Sequence, residues 1–241
     1  MVSLDGCADQ YVLGLMPRTD IAGVSARAQL ADSYYRNRAE GIRRIRPAIE
    51  AVLAVEPDIV VRTWGGDARL IEVLRKNGIK VITINDINTL DKAKSELLRV
   101  GHELGRDGQA GAEAARFDAA MADIRPIGIG RSVLYYTPSG FSAGPDTLVG
   151  DMLTRLDFHL ETQDKGFFPL SPEVLVSLKP DVFALAFYDD PYAMRRVPGR
   201  SPVVQKMIAA TPHFTLPARA LSCSGWFIAY DLQALSRTTV K

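Results

Sequence analysis

Twice along this chain a stretch with helical spacing runs into Pro-Asp and then into a short apolar run: AIEAVLAVEPDIVV (Ala48 to Val61) and SPEVLVSLKPDVFAL (Ser171 to Leu185). Pro57 or Pro180 stops each helix, because proline has no amide donor and its ring clashes with the preceding turn. The β-branched and aromatic residues that follow favour a strand. Each half of the chain thus contains a helix feeding a strand. Further strands are predicted at Ile21 to Ser25, Ile79 to Ile84 and Ser132 to Thr137, alternating with helical stretches such as ARLIEVLRKNG. Strands separated by helices predict mainly parallel sheets covered on both faces.

Between the halves, Thr89 to Ile124 places Leu90, Ala93, Leu97, Val100 and Leu104 at helical spacing, which predicts one long helix or a helix pair. Gly105 and Gly108 weigh against continuity, each costing about 1 kcal/mol relative to Ala inside a helix. The predicted class is α/β, with two α/β lobes of mainly parallel sheet joined by a long helical bridge. The N-terminal lobe is placed at 1–88, the bridge at 89–125 and the C-terminal lobe at 126–241.

At 241 residues and 47% hydrophobic content, the chain can bury one large core or two smaller ones. Lys and Arg number 29 against 28 for Asp and Glu, a net charge of +1, so no global field favours nucleic acid or an anionic membrane. No apolar run approaches the roughly 18 residues that span a bilayer. The opening MVSLDGCADQ has no basic or apolar leader region and does not itself show export; Met1 abuts the first predicted strand, so the expectation is either a leader lying outside this sequence or a misassigned start. LDGC resembles a lipoprotein cleavage site only superficially, since nothing apolar precedes it.

Two cysteines, Cys7 and Cys223, fit neither a zinc framework nor a disulfide-dense domain; a bridge between them and a pair of buried thiols both stay open. His102, His159 and His213 share no short-range ligand spacing, which argues against capture of a bare zinc or manganese ion. No GxSxG, complete GxGxxG or Walker motif occurs, and Gly128-Ile129-Gly130 precedes its strand instead of following it. Catalysis is therefore not expected.

Open α/β sheets bind ligands at the C-terminal ends of their strands. In the N-terminal half these loops hold Asp5 and Cys7, the Ser25 to Arg46 segment, Thr63 to Asp67, and Asn85 to Asn88. Tyr34 and Tyr35 have rings suited to stacking on a planar macrocycle, and the Arg36 and Arg38 forks suit carboxylates or phosphate, with Arg43, Arg44 and Arg46 behind them. Trp64 precedes Gly65 and Gly66, which permit close backbone approach to a ligand or a tight turn into a helix. Cys7 thiolate is a candidate soft donor to iron or cobalt. In the C-terminal half the candidates are Tyr136, Phe141, Phe168, Tyr188 (beside Asp189 and Asp190) and Trp226. Tyr188 and Trp226 are the preferred pair there. For each aromatic, ordinary core packing is the competing reading.

Taken in order, VSLDGCADQYVLGL with IAGVS, AVLAVEPDIVV, WGGDARLIEVLRKNGIKV, the mid-chain helix, SGFSAGPDTLVGDMLTRL and LSPEVLVSLKPDVFAL resemble the periplasmic substrate-binding proteins of ABC importers for cobalamin, haem and ferric siderophores. The Trp64-Gly65-Gly66 stretch ahead of a helix is especially similar to the cobalamin-binding members. The resemblance implies two lobes on a fairly rigid helical backbone, with a ligand held in the cleft between them. It implies a monomer in the periplasm, with no resident cofactor, that captures a metal chelate and delivers it to a membrane permease. A corrinoid or another tetrapyrrole is the favoured ligand and a ferric siderophore the runner-up. In similar proteins an exposed acidic residue on each lobe meets permease arginines; the candidates here are Asp67 or Glu72, and Asp146 or Asp151. Arg69 occupies the position expected to be acidic, which keeps an accessory or sensor role as the alternative, ahead of an α/β enzyme.

Overall fold

Both Pro-Asp junctions separate a helix from a strand in the computed structural model, which describes residues 1–188 and 197–238. The chain divides into two units: Met1–Ile87, Asp91–Phe117 and Ser222–Phe227 form the first, and Asn88–Leu90, Asp118–Leu221 and Ile228–Lys241 form the second.

In the first unit, β1 (Val2–Ser3) turns into α1 (Gly6–Leu15), and α2 (Ile49–Leu53) leads through Pro57 to β2 (Ile59–Thr63). α3 (Ala68–Lys76) and β3 (Lys80–Ile84) follow. The three strands form a parallel sheet in the order β1-β2-β3, with Val2 opposite Val60 and Val61 opposite Ile82. Two isolated parallel bridges, Val2 with Gly23 and Val24 with Arg44, extend it beyond β1. The strand expected over Ile21 to Ser25 is reduced to these bridges. Gly23 permits the approach, since a Cβ there would lie 2.2 Å from the Ile45 side chain.

α3 is amphipathic: Leu70, Ile71 and Leu74 are buried against Val2, Val52, Val60 and Ile79, while Asp67 caps its start and Arg75 and Lys76 sit in its last turn. The mid-chain region forms two helices, α4 (Leu90–Glu103) and α5 (Asp107–Ala122). The break falls at Gly105, whose φ of 67° suits glycine at a helix C-terminus. Leu90, Ala93, Leu97, Val100 and Leu104 are all buried, as their spacing predicts.

The second unit holds β4 (Ser132–Tyr136), β5 (Phe141–Ala143), α6 (Leu148–Arg155), β6 (His159–Leu160), β7 (Phe167–Pro169), α7 (Pro172–Ser177), β8 (Val182–Ala186), α8 (Pro202–Ala210), β9 (His213–Leu216), α9 (Ala218–Leu221) and α10 (Ile228–Leu235). A four-stranded sheet in the order β6-β4-β8-β9 is parallel throughout. All five residues of β8, VFALA, are buried, as in a strand covered on both faces. Ser171 and Ser201 cap α7 and α8, each followed by a proline in the first turn. β5 and β7 form a separate antiparallel ribbon. The expected class, α/β with two mainly parallel units, is the observed one. Among the described residues no helix is long and apolar enough to cross a membrane.

Candidate functional site

The C-terminal rim of the first sheet is built around one carboxylate. Asp5 sits in extended conformation just before α1; its Oδ1 accepts from the amides of Cys7 (3.1 Å) and Ala8 (2.9 Å), and its Oδ2 accepts from the Thr63 amide at 2.7 Å. A side chain expected to face a ligand is thus occupied in fastening the start of α1 to the end of β2.

The next residue, Trp64, is 67% exposed, and its Nε1 donates to the Asp86 carboxylate just beyond β3. Gly65 (φ 87°) and Gly66 (φ 75°) then turn the chain toward α3. An indole so exposed is not core packing, and it presents an apolar face on the sheet rim. Behind Asp86, the buried Glu96 accepts from the Asn85 amide (2.7 Å) and side chain (3.1 Å) and pairs with Arg99. Burial pushes the Glu96 carboxyl up, but the Arg99 and Asn85 hydrogen bonds outweigh that and hold it below its ordinary range.

The tyrosine loop is tied to α1 by residues that hydropathy patterns do not single out. Gln10 donates to Ser33 Oγ (2.8 Å) and accepts from the Tyr35 amide (2.8 Å). Asp9, fully buried, accepts from the hydroxyls of Ser3 and Ser25 and from the Ser25 amide. Two adjacent inward-facing polar residues in an otherwise apolar helix are the signal that finds them. Arg38 donates to the carbonyls of Leu13 (2.8 Å) and Gly14 (3.3 Å) and lies over the Tyr35 ring, so it caps the end of α1 instead of offering a free fork. Arg36 stays exposed.

Tyr34 and Tyr35 are half-buried in a ring cluster. Tyr34 stacks on Phe227 at 4.9 Å, and Tyr35 meets Trp226 at 6.1 Å and Phe227 at 5.9 Å. Trp226, expected on the C-terminal lobe, is fully buried in the first unit, beside Tyr11 and donating to Glu113 at 3.1 Å. The reason is the chain's return at Ser222–Phe227, which sequence order does not reveal. A Cys7–Cys223 disulfide, with Cα atoms 5.1 Å apart, holds that return. Cys7 is therefore no thiolate donor, and the pair of free thiols is excluded.

In the second unit, Phe141 (43% exposed) and Phe167 (61% exposed) share one face of the β5/β7 ribbon, because Ala143 pairs with Phe167 and alternate residues point the same way. The opposite face turns Ser142 and Phe168 inward, and Phe168 packs on the core of Leu134, Tyr136, Phe183 and Leu185. Phe168 therefore faces the core, while its neighbour Phe167 faces outward. Tyr136 is likewise fully buried, as β4 is covered on both faces. Tyr188 is half-buried and donates to the Gly199 carbonyl at 3.3 Å; burial pushes its phenol up. Asp189 and Asp190 lie outside the described residues.

Of the acidic candidates, Asp67 accepts from the Arg69 amide as the cap of α3, and Asp146 accepts from the Gly166 amide at 2.6 Å. Asp151 accepts from the Leu90 amide at 2.8 Å. Glu72 pairs with Lys76 at 2.6 Å on the exposed face of α3. Among the described residues no three His, Cys, Asp or Glu side chains gather to hold a metal ion. A hollow of about 560 Å³, lined by Met1, Asp20, Glu56, Pro57 and Arg106, lies at the opposite, N-terminal end of β2, away from the aromatic rim. What the rims offer is flat apolar contact with a few fixed polar groups.

The family model described as periplasmic binding protein matches residues 1–192. A cobalamin-binding protein of Halobacterium salinarum is 28% identical over 192 residues, covering 76% of this chain and 52% of that protein. An uncharacterized ABC transporter substrate-binding lipoprotein, YvrC of Bacillus subtilis, is 23% identical over 186 residues, covering 71% and 57%. The chain spans about half the length of the curated relatives it matches. Among solved structures, the periplasmic heme-binding protein HutB of Vibrio cholerae superposes with a TM-score of 0.75 at 17% identity, covering 98% of this chain and 96% of that one. The periplasmic heme-binding protein RhuT of Roseiflexus sp. RS-1 gives 0.73 at 20% identity, covering 98% and 95%. With the family matched over most of its length, the chain belongs to the periplasmic binding proteins, a membership that supports an extracytoplasmic location and a binding role in place of a catalytic one.

Proposed function

We propose that this chain captures a metal-chelate nutrient and delivers it to the permease of an ABC importer. The chelate is a corrinoid or another planar tetrapyrrole, with ferric siderophores as the second ligand class. The observation that carries this reading is the family match over residues 1–192 on a chain whose first sheet ends in an exposed, Asp86-anchored tryptophan. Large planar ligands are held by apolar and aromatic contact with few placed polar groups. On the first unit Trp64 is the candidate for such contact, with Arg36, Tyr34 and Tyr35 as further candidates; on the second unit, taken by itself, the candidates are Phe141, Phe167 and Tyr188. The names of the similar proteins, cobalamin-binding and heme-binding, fall in the same ligand class. A disulfide suits an oxidising compartment.

Calorimetric titration with cyanocobalamin, haemin and a panel of ferric chelates tests the reading. Saturable 1:1 binding of one of them is expected, and no binding to any refutes the ligand class. For delivery, Glu72 is the favoured permease contact, because Asp67, Asp146 and Asp151 already hold backbone amides. Glu72→Ala should then lower uptake in cells while leaving affinity unchanged.

A further inference from the structure

We propose that the Cys7–Cys223 bridge is a site of thiol–disulfide exchange whose state sets the order of the tyrosine loop. Three observations converge on it. Cys223 is buried at 7% exposure, whereas Cys7, in the first turn of α1, is partly exposed, so an incoming thiolate has access to one sulfur of the pair. The bridge closes 216 residues of sequence and pins Ser222–Phe227, a six-residue return flanked on both sides by chain of the second unit. That return carries Trp226 and Phe227, on which Tyr35 and Tyr34 rest.

The partner is a dithiol reductant. Its thiolate attacks Cys7 Sγ; the Cys7–Cys223 bond breaks as the mixed disulfide forms, and Cys223 leaves as a thiolate that takes up a proton. The second thiol of the reductant attacks its own mixed-disulfide sulfur and releases Cys7 as a thiol. Two electrons and two protons pass to the protein, and the reductant ends as a disulfide. Released from covalent closure, the return keeps its ring contacts and the Trp226 to Glu113 hydrogen bond but gains the freedom to leave them. The loop from Ser25 to Ala39 keeps its Asp9 and Gln10 bonds and loses the fixed aromatic floor under Tyr34 and Tyr35. The bridge therefore acts as a local clasp on that loop.

The test compares the native chain before and after dithiothreitol, by hydrogen exchange with mass spectrometry, alongside titration with haemin and cyanocobalamin. Under reduction, residues 25–39 and 222–227 should exchange at least tenfold faster, with β2, β3 and the β4/β8 sheet unchanged, and reoxidation should restore the slow rates. The Cys7→Ser/Cys223→Ser chain should fold and match the reduced state. Unchanged exchange in 25–39, loss of protection throughout the first unit, a bridge that resists reduction in the folded chain, or a double variant that fails to fold each overturns the proposal. The affinity arm rests on the chelate-binding role: weakening by about tenfold on reduction is expected, and equal affinity overturns the link to binding. If neither redox state binds a chelate while the exchange pattern appears, the ligand class fails and the clasp stands.

Discussion

Replacing Asp5 separates the two tasks of its carboxylate. In Asp5→Asn one oxygen remains, enough to accept from the Cys7 and Ala8 amides or from Thr63, but the new NH₂ must face whichever donors the oxygen does not serve. Either amide orientation loses one side and sets donors against each other, at a cost of about 1–3 kcal/mol. Asp5→Ala loses both sides; adding a helix cap worth about 1 kcal/mol brings the total to about 2–4 kcal/mol. Trp64 and Trp226 are the chain's two tryptophans and both belong to the first unit, so tryptophan emission during urea unfolding reports that unit alone. With a slope of about 2 kcal/mol per molar urea, a 2 kcal/mol loss moves the midpoint by roughly 1 M. The expected order of midpoints is parent, then Asp5→Asn, then Asp5→Ala. An Asn variant with the parent's midpoint would refute the bond to Thr63, and with it the fastening of α1 to the end of β2 by Asp5.

Other outcomes follow from the same geometry. Burial raises the Asp9 carboxyl above its ordinary value despite the hydrogen bonds of Ser25 and Ser3, so the folded state holds that proton more tightly than the unfolded one. Stability from this group is present below the ordinary aspartate value and lost as pH rises through the raised one; Asp9→Asn should gain on the parent across that window in pH-dependent urea melts, and a constant difference would count against it. Trp64→Ala should weaken chelate binding by about 1 kcal/mol or more in calorimetry with little change in melting temperature, and unchanged affinity would remove Trp64 from the site. Phe168→Ala should lower the thermal midpoint through a core cavity costing about 2–4 kcal/mol, whereas Phe167→Ala should stay within about 0.5 kcal/mol; equal effects would contradict the ribbon's orientation.

Regular elements were legible where local chemistry decides them. The Pro57 and Pro180 stops, the mid-chain apolar spacing and the buried VFALA strand depend on nearby residues, and each forms as its pattern predicts. Long-range placement was not legible. Trp226 lies near the C-terminus of the sequence but packs against Tyr11, because the chain's return is set by tertiary contacts and a disulfide that no periodicity encodes. The orientation of Phe167 and Phe168 is hidden for a simpler reason: a strand's pleat decides which of two neighbours faces out, and β7 has too few residues for an alternating pattern to show it. Asp5 and Arg38 look like ligand contacts from their loops, yet the backbone groups at the two ends of α1 claim them first.

The return of Ser222–Phe227 also limits how the gene can be cut. The chain passes from one unit to the other five times, after Ile87, Leu90, Phe117, Leu221 and Phe227. No single stop codon isolates the first unit: a product ending at Phe117 would leave Tyr11, Tyr34 and Tyr35 without the indole and phenyl they rest on, and Glu113 without its indole donor. A separable first unit needs the six-residue piece grafted back, through a short linker after Phe117 that puts Cys223 within reach of Cys7.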